Sequence, residues 1–257
     1  MKRNVTSPAR PRAIHAVILA ALWLPALGFA ACEDPAQPRV KWPECNRSGQ
    51  NLSGADLRHA WLLRAKFSGA NLQQADLGGA DLERADFAKA NLKQATLREI
   101  HAVGANFERA DLTESRLEKA RLDRTTLREA ILVGAQLQGA RLYEANLEKA
   151  RLRSANLSQA NLEQADLSGA DLSASTASGA VFNKASLDGA NLSGSDLSGA
   201  KLQGVSLIGA DLKNSNLTKA DLSNADLTGA DLTGAVLANT IWSDRRRCKP
   251  SSVGVCQ

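Results

Sequence analysis

The chain has 257 residues and a formal net charge of +5. Four basic and no acidic residues fall within residues 1–30, so a chain processed there carries +1, and its high pI is no argument for a nucleic-acid partner. Beyond residue 30 the only histidines are His59 and His101, and the cysteines lie near the two ends. That leaves no basis for a zinc or His-based catalytic centre in the body of the chain.

Residues 1–30 read as a secretory signal peptide. Lys2, Arg3, Arg10 and Arg12 precede an apolar run from Ala13 to Phe29 that ends in small residues. Gly28 and Ala30 suit the positions before a signal-peptidase cut, placing cleavage after Ala30. A lipoprotein reading competes: Phe29-Ala30-Ala31-Cys32 resembles a lipobox with Phe where Leu is usual, and lipidation would leave Cys45 without its partner. An uncleaved anchor is disfavoured by the short run and by Pro25 within it. The expected location is periplasmic or secreted, with a lipid anchor at Cys32 as the alternative and no membrane span in the mature chain. Residues 31–49, with Cys32, Trp42 and Cys45, form an N-terminal cap segment.

From residue 50 to 242 the chain repeats every five residues. Of 39 positions from 52 to 242, 32 are Leu, and two residues before each comes a second register in which 30 of 39 are Ala. Five residues advance a helix by about 500°, which scatters the leucines around all sides. On a strand an odd spacing sends them to alternate faces. The pattern holds together if the chain turns a corner every five residues, so that Ala and Leu always point inward. That is a solenoid whose coils bury their core against one another. All seven prolines lie outside residues 44–249, as inter-coil hydrogen bonding of the backbone requires.

The repeats Ala75-Asp76-Leu77-Gly78-Gly79 and Ala165-Asp166-Leu167-Ser168-Gly169 resemble the pentapeptide-repeat family. The resemblance covers about three quarters of the chain. It implies an all-β fold, a right-handed quadrilateral β-helix with four repeats per coil. Gly at the last repeat position suits the positive φ of a type II turn, and Asp or Asn before the central Leu favours turns. Nine to ten coils at about 4.8 Å make a rod of roughly 45 Å. Ala102 and Ala177 interrupt the Leu register; Ile100 refills the first gap, whereas Ala177 has only Ser175 beside it, with Phe182 at the next corner as the side chain that could lean in. Residues 173–178 are therefore expected to be the loosest part.

Residues 243–257 form a C-terminal tail. Four cysteines in an exported chain read as two disulfides. A rod between the two pairs exceeds the ~6 Å that a disulfide spans, which selects Cys32–Cys45 and Cys248–Cys256. With Trp42 and Trp242 they make plugs for the open ends of a solenoid. These flanks resemble those of exported pentapeptide-repeat proteins of Gram-negative bacteria.

Nothing in the repeat converges on chemistry, so the chain is read as no enzyme and as needing no cofactor. Asp56 over Asp76 and Asp211 over Asp231 stack at twenty-residue spacing and can hold Ca²⁺ weakly; solvated turn residues are the default. Sorting outward positions by twenty gathers Trp61, Leu63, Arg64, Arg84, His101, Val103, Arg121, Arg124, Arg141 and Tyr143 on one side, residue types enriched at binding hot spots. Ile131 and Val133 form a smaller patch on another side. The competing reading of the larger face is repeat drift, with Arg stems covering apolar neighbours.

The functional expectation is an exported scaffold or protein-binding rod engaging an unknown protein or envelope component, with no nucleic acid as partner. A spacer without a dedicated face is the alternative. The family resemblance implies a third possibility, since some cytosolic members mimic DNA and protect gyrase. A signal peptide and a near-neutral mature charge argue against it.

Overall fold

A computed structural model describes residues 32–257; the signal peptide read in residues 1–30 lies outside the described residues. The chain winds into a right-handed quadrilateral β-helix. From Lys41 to Asp221, each outward residue before a core position forms a parallel bridge with the residue twenty positions on, as in Asp56–Asp76 and Asn71–Asn91. Twenty residues therefore make one coil, and four five-residue segments make its sides, named here for Leu62, Phe67, Leu72 and Leu77.

Two hydrogen bonds recur and explain the period. The Leu N–H donates to the next coil, as Leu57 does to the Asp76 carbonyl at 2.7 Å, while Asp76 N–H returns one to Ala55 at 2.9 Å. At each corner the Ala N–H donates to the preceding Leu carbonyl, for instance Ala75 to Leu72 at 3.0 Å. The residue before that Ala has φ near +55 to +70. Gly occupies it at Gly54, Gly79 and Gly134, but Arg64, Glu114 and Lys149 adopt the same left-handed conformation. A lone residue there costs about 1–2 kcal/mol, so the corner geometry is imposed by inter-coil bonding and core burial as well as by glycine. Asx turns help: Asp81 Oδ1 accepts from the Glu83 N–H at 3.1 Å and Asn161 Oδ1 from Glu163 at 3.0 Å.

The core is one Leu-and-Ala layer per side, with most of these side chains fully buried. Three of the Leu-register exceptions share a side. Phe67, Phe87 and Phe107 stack at centroid separations of 4.8 and 5.1 Å, and Trp42, from the Leu62 side of the first coil, comes within 6.5 Å of Phe67 with its ring tilted by 43°. Ile100, Ala102, Ala177 and Phe182 are all buried.

Both ends are pinned. Regular bridging reaches back to Lys41, which pairs with Trp61, so residues ahead of the Leu-Ala pattern already build the first coil. Val40, Trp42 and Cys45 are buried there. Arg47 stands in the Leu register, but its guanidinium lies 3.8 Å over the Trp42 ring and donates to the carbonyls of Cys32 and Asp34. Cys32 is disulfide-bonded to Cys45. At the other end the tail folds back antiparallel on the last coil, pairing Val236 with Val253 and Ile241 with Arg247, and Cys248 is bonded to Cys256. The tail covers the Leu77 and Leu62 sides, leaving Leu227 and Leu232 half-buried on the other two. No helix among the described residues is long and apolar enough to cross a membrane.

Candidate binding face

The ten residues singled out from the sequence fall in three parallel rows on the Leu62 side. Trp61, His101, Arg121 and Arg141 belong to one ladder of bridged residues, continuous through Asp81. Leu63, Val103 and Tyr143 follow the inward residue of each coil and are half-buried. Arg64, Arg84 and Arg124 occupy the left-handed corner, with φ of 54, 55 and 57°. The winding brings all ten together because each lies one before, one after or two after a Leu-register position of the same side. Trp61 is 44% exposed, a large aromatic face left in water on a rod whose other described aromatic rings are mostly buried.

The face holds carboxylates that a search for arginines and aromatics passes over. Glu44 pairs with Arg64 at 3.3 Å, Glu83 with Arg84 at 3.8 Å, Glu144 with Arg124 at 2.8 Å and Asp123 with Arg141 at 3.4 Å. Sorting the acidic residues by twenty exposes them as readily as the basic ones. The Arg124 guanidinium, then the Tyr143 hydroxyl, hold the Glu144 carboxyl below its usual range, and the same carboxylate raises the Tyr143 phenol. Asp123 is nearly buried, and its Oδ1 has no hydrogen-bond partner. Four of the five arginines are thus in ion pairs; Arg121, exposed, has no carboxylate in ion-pair range among the described residues.

Arg84 lies along Gly104, its Cγ 3.6 Å from where a Cβ on that glycine would sit. Residues 101–104 therefore present only the His101 and Val103 side chains on this face, without a side chain at the corner itself. Ile131 and Val133 sit on the Leu72 side, half-buried, with Ile131 bridged to Arg151. They are not continuous with the larger face.

The stacked aspartates are occupied by the chain's own cations. Arg58 reaches Asp56 at 2.6 Å and Asp76 at 3.8 Å, and Lys213 reaches Asp231 at 2.9 Å and Asp211 at 3.5 Å. Hydrogen bonds from the Thr233 hydroxyl and N–H, then from Lys213, lower Asp231 to about 2. Among the described residues no group of three His, Cys, Asp or Glu side chains is placed to hold a metal ion.

The pentapeptide-repeat profile matches in eight copies, over residues 51–88, 65–101, 90–128, 130–169, 165–204 and 195–234. Curated protein sequences gave no match. Among solved structures, the chain is similar to HetL, a pentapeptide-repeat protein involved in heterocyst differentiation regulation from the cyanobacterium Nostoc sp. strain PCC 7120. The two are 35% identical over 82% of this chain and 92% of that one, with a TM-score of 0.37. A trypsin-treated form of QnrB1, a plasmid-mediated fluoroquinolone resistance protein, is 22% identical over 76% of this chain and 91% of that one, TM-score 0.52, a likeness of fold. The profile spans most of the coils whose bridging and corner geometry are described above, and the chain belongs to the pentapeptide-repeat family.

Proposed function

We propose that the protein is an exported, non-enzymatic binding rod that engages a protein or envelope component through its Leu62 side. The observation that carries this reading is the ladder Trp61–Asp81–His101–Arg121–Arg141. It concentrates an exposed Trp and an unpaired Arg on one face, next to half-buried Leu63, Val103 and Tyr143. Aromatic and Arg anchors rimmed by polar groups are the composition of binding hot spots. Many Asn, Asp, Ser and Thr elsewhere on the rod are committed to their own turns, as at Asn191 with Ser193; the Leu72 side also carries exposed arginines, Arg151 and Arg153, but no exposed aromatic ring beside them.

Two local disulfides support an oxidising location. The Cys32–Cys45 bond favours signal-peptidase cleavage over lipidation, because a lipidated Cys32 cannot also bridge. No cofactor is assigned. Nucleic acid is not the proposed partner, since the mature charge is +1 and the arginines of the face are largely neutralised by neighbouring carboxylates.

The test is in-cell photocrosslinking from position 121, with position 116 on the neighbouring Leu77 side as control. A discrete adduct from 121 alone supports the binding face. Equal silence from both positions favours a spacer.

A further inference from the structure

Outward residues of neighbouring coils stand directly opposite one another along each ladder, where like charges are destabilising. Three such pairs occur among the described parallel bridges: Asp56–Asp76, Asp211–Asp231 and Arg121–Arg141. Each acidic pair is clasped by a basic side chain of the same molecule, Arg58 in one case and Lys213 in the other. The basic pair has a carboxylate at the equivalent place, Asp123, two residues after Arg121 as Arg58 is after Asp56, but it reaches only one of the two arginines. Asp123 serves Arg141 from one side at 3.4 Å, and no carboxylate among the described residues reaches Arg121.

On the reading that this side binds a partner, we infer that Arg121 receives a carboxylate from an acidic, extended segment of a protein. That group completes an Arg–carboxylate–Arg clasp with Arg141, the inverse of the Asp–cation–Asp clasps the rod builds for itself. The planar guanidinium fork matches a carboxylate in two parallel hydrogen bonds. The surroundings select a carboxylate-bearing peptide over a nucleic acid. Val103, one coil before Arg121, and Tyr143, in the coil of Arg141, flank the pair with apolar surface, and the carboxylates Asp123 and Glu144 belong to the pair's own two coils. Their charge opposes a polyphosphate, with a charge every ~1.7 Å of duplex, far more than it opposes one carboxylate at a time.

Fluorescence anisotropy with a labelled six-residue peptide of alternating Glu and Val tests this, using the protein purified after expression of the full chain. Saturable binding is expected, weakened about tenfold by Arg121→Gln. Arg151→Gln, an exposed arginine on the Leu72 side, should leave it unchanged. Because Arg121→Gln removes a like-charge contact, its melting temperature should equal or exceed that of the unaltered protein; a fall would make Arg121 a structural residue and overturn the inference. Absent peptide binding, or binding equal in Arg121→Gln, overturns it too, while the crosslink from position 121 still stands or falls separately. Tighter binding of a duplex oligonucleotide with the same dependence on Arg121 overturns the carboxylate in favour of phosphate.

Discussion

Phe67 and Phe87 lie one coil apart with ring centroids 4.8 Å from each other and planes inclined by only 7°. Phe107 continues the stack at 5.1 Å, so the Phe67 side carries a column of aromatic rings at the coil spacing in place of leucines. Phe87 has a ring on both sides. Phe87→Ala opens a cavity between two rings that the coil spacing holds apart, at a cost of about 3–5 kcal/mol. Phe87→Leu restores the family pattern and should cost under about 1.5 kcal/mol. Urea unfolding midpoints compare the two; equal losses would mean that refilling the volume is not enough and that the stacked rings themselves carry the stability.

Serine replaces Ala at several inward positions with opposite consequences. Ser195 Oγ donates to the Leu192 carbonyl at 2.7 Å, whereas the Ser175 hydroxyl is buried without a partner. An unsatisfied buried polar group costs about 1–3 kcal/mol, while a typical hydrogen bond contributes about 0.5–1.5 kcal/mol. Ser175→Ala should therefore raise the melting temperature and Ser195→Ala lower it slightly. Residues 173–178, expected from the sequence to be the loosest part, are where hydrogen exchange should show the largest gain in protection on Ser175→Ala.

The C-terminal tail is held against the last coil by backbone pairing, including Leu237 N–H to Ser252 and Cys248 N–H to Thr240, both at 2.9 Å. The Cys248–Cys256 bond closes a short loop within it. Replacing both cysteines by serine should cost roughly 2–3 kcal/mol in the stability of the tail. The Leu237 and Trp242 amides should exchange faster, and the stacked coils around Phe87 should be unaffected. Unchanged exchange at Leu237 would show that pairing alone secures the tail.

Asp231 is depressed to about 2 by Thr233 and Lys213. A carboxylate whose folded pKa lies below its unfolded value, about 3.9, contributes stability that is fully present above the unfolded pKa. The contribution is lost as pH falls through about 2. Asp231→Asn should flatten the decline of melting temperature between about pH 4 and pH 2. Asp244→Asn, whose side chain lies in the tail with Arg246 at 3.2 Å, is the comparison. Identical profiles would remove Asp231 from the acid response.

The five-residue period by itself determined the solenoid, its inward Leu and Ala layers and the corners between them, because no helix or flat strand can bury a residue every fifth position. Which outward residues share a side follows from sequence number only once a coil holds twenty residues, a number that the period leaves open, that the family resemblance implied and that the bridging between coils shows. The local pairing of the cysteines was legible because a rod keeps the two ends apart. Tertiary structure decided what each outward side chain touches. Whether Asp56 and Asp76 wait for a cation or are clasped by Arg58 depends on where a side chain two residues along extends. That extension is not encoded in the repeat, and neither is the commitment of Arg64, Arg124 and Arg141 to carboxylates of neighbouring coils. The start of the first coil at Lys41 was equally hidden. There Val40, Trp42 and Arg47 stand where the pattern wants Ala and Leu, and backbone bonding to the next coil together with the packing of Arg47 over Trp42 makes them part of the rod.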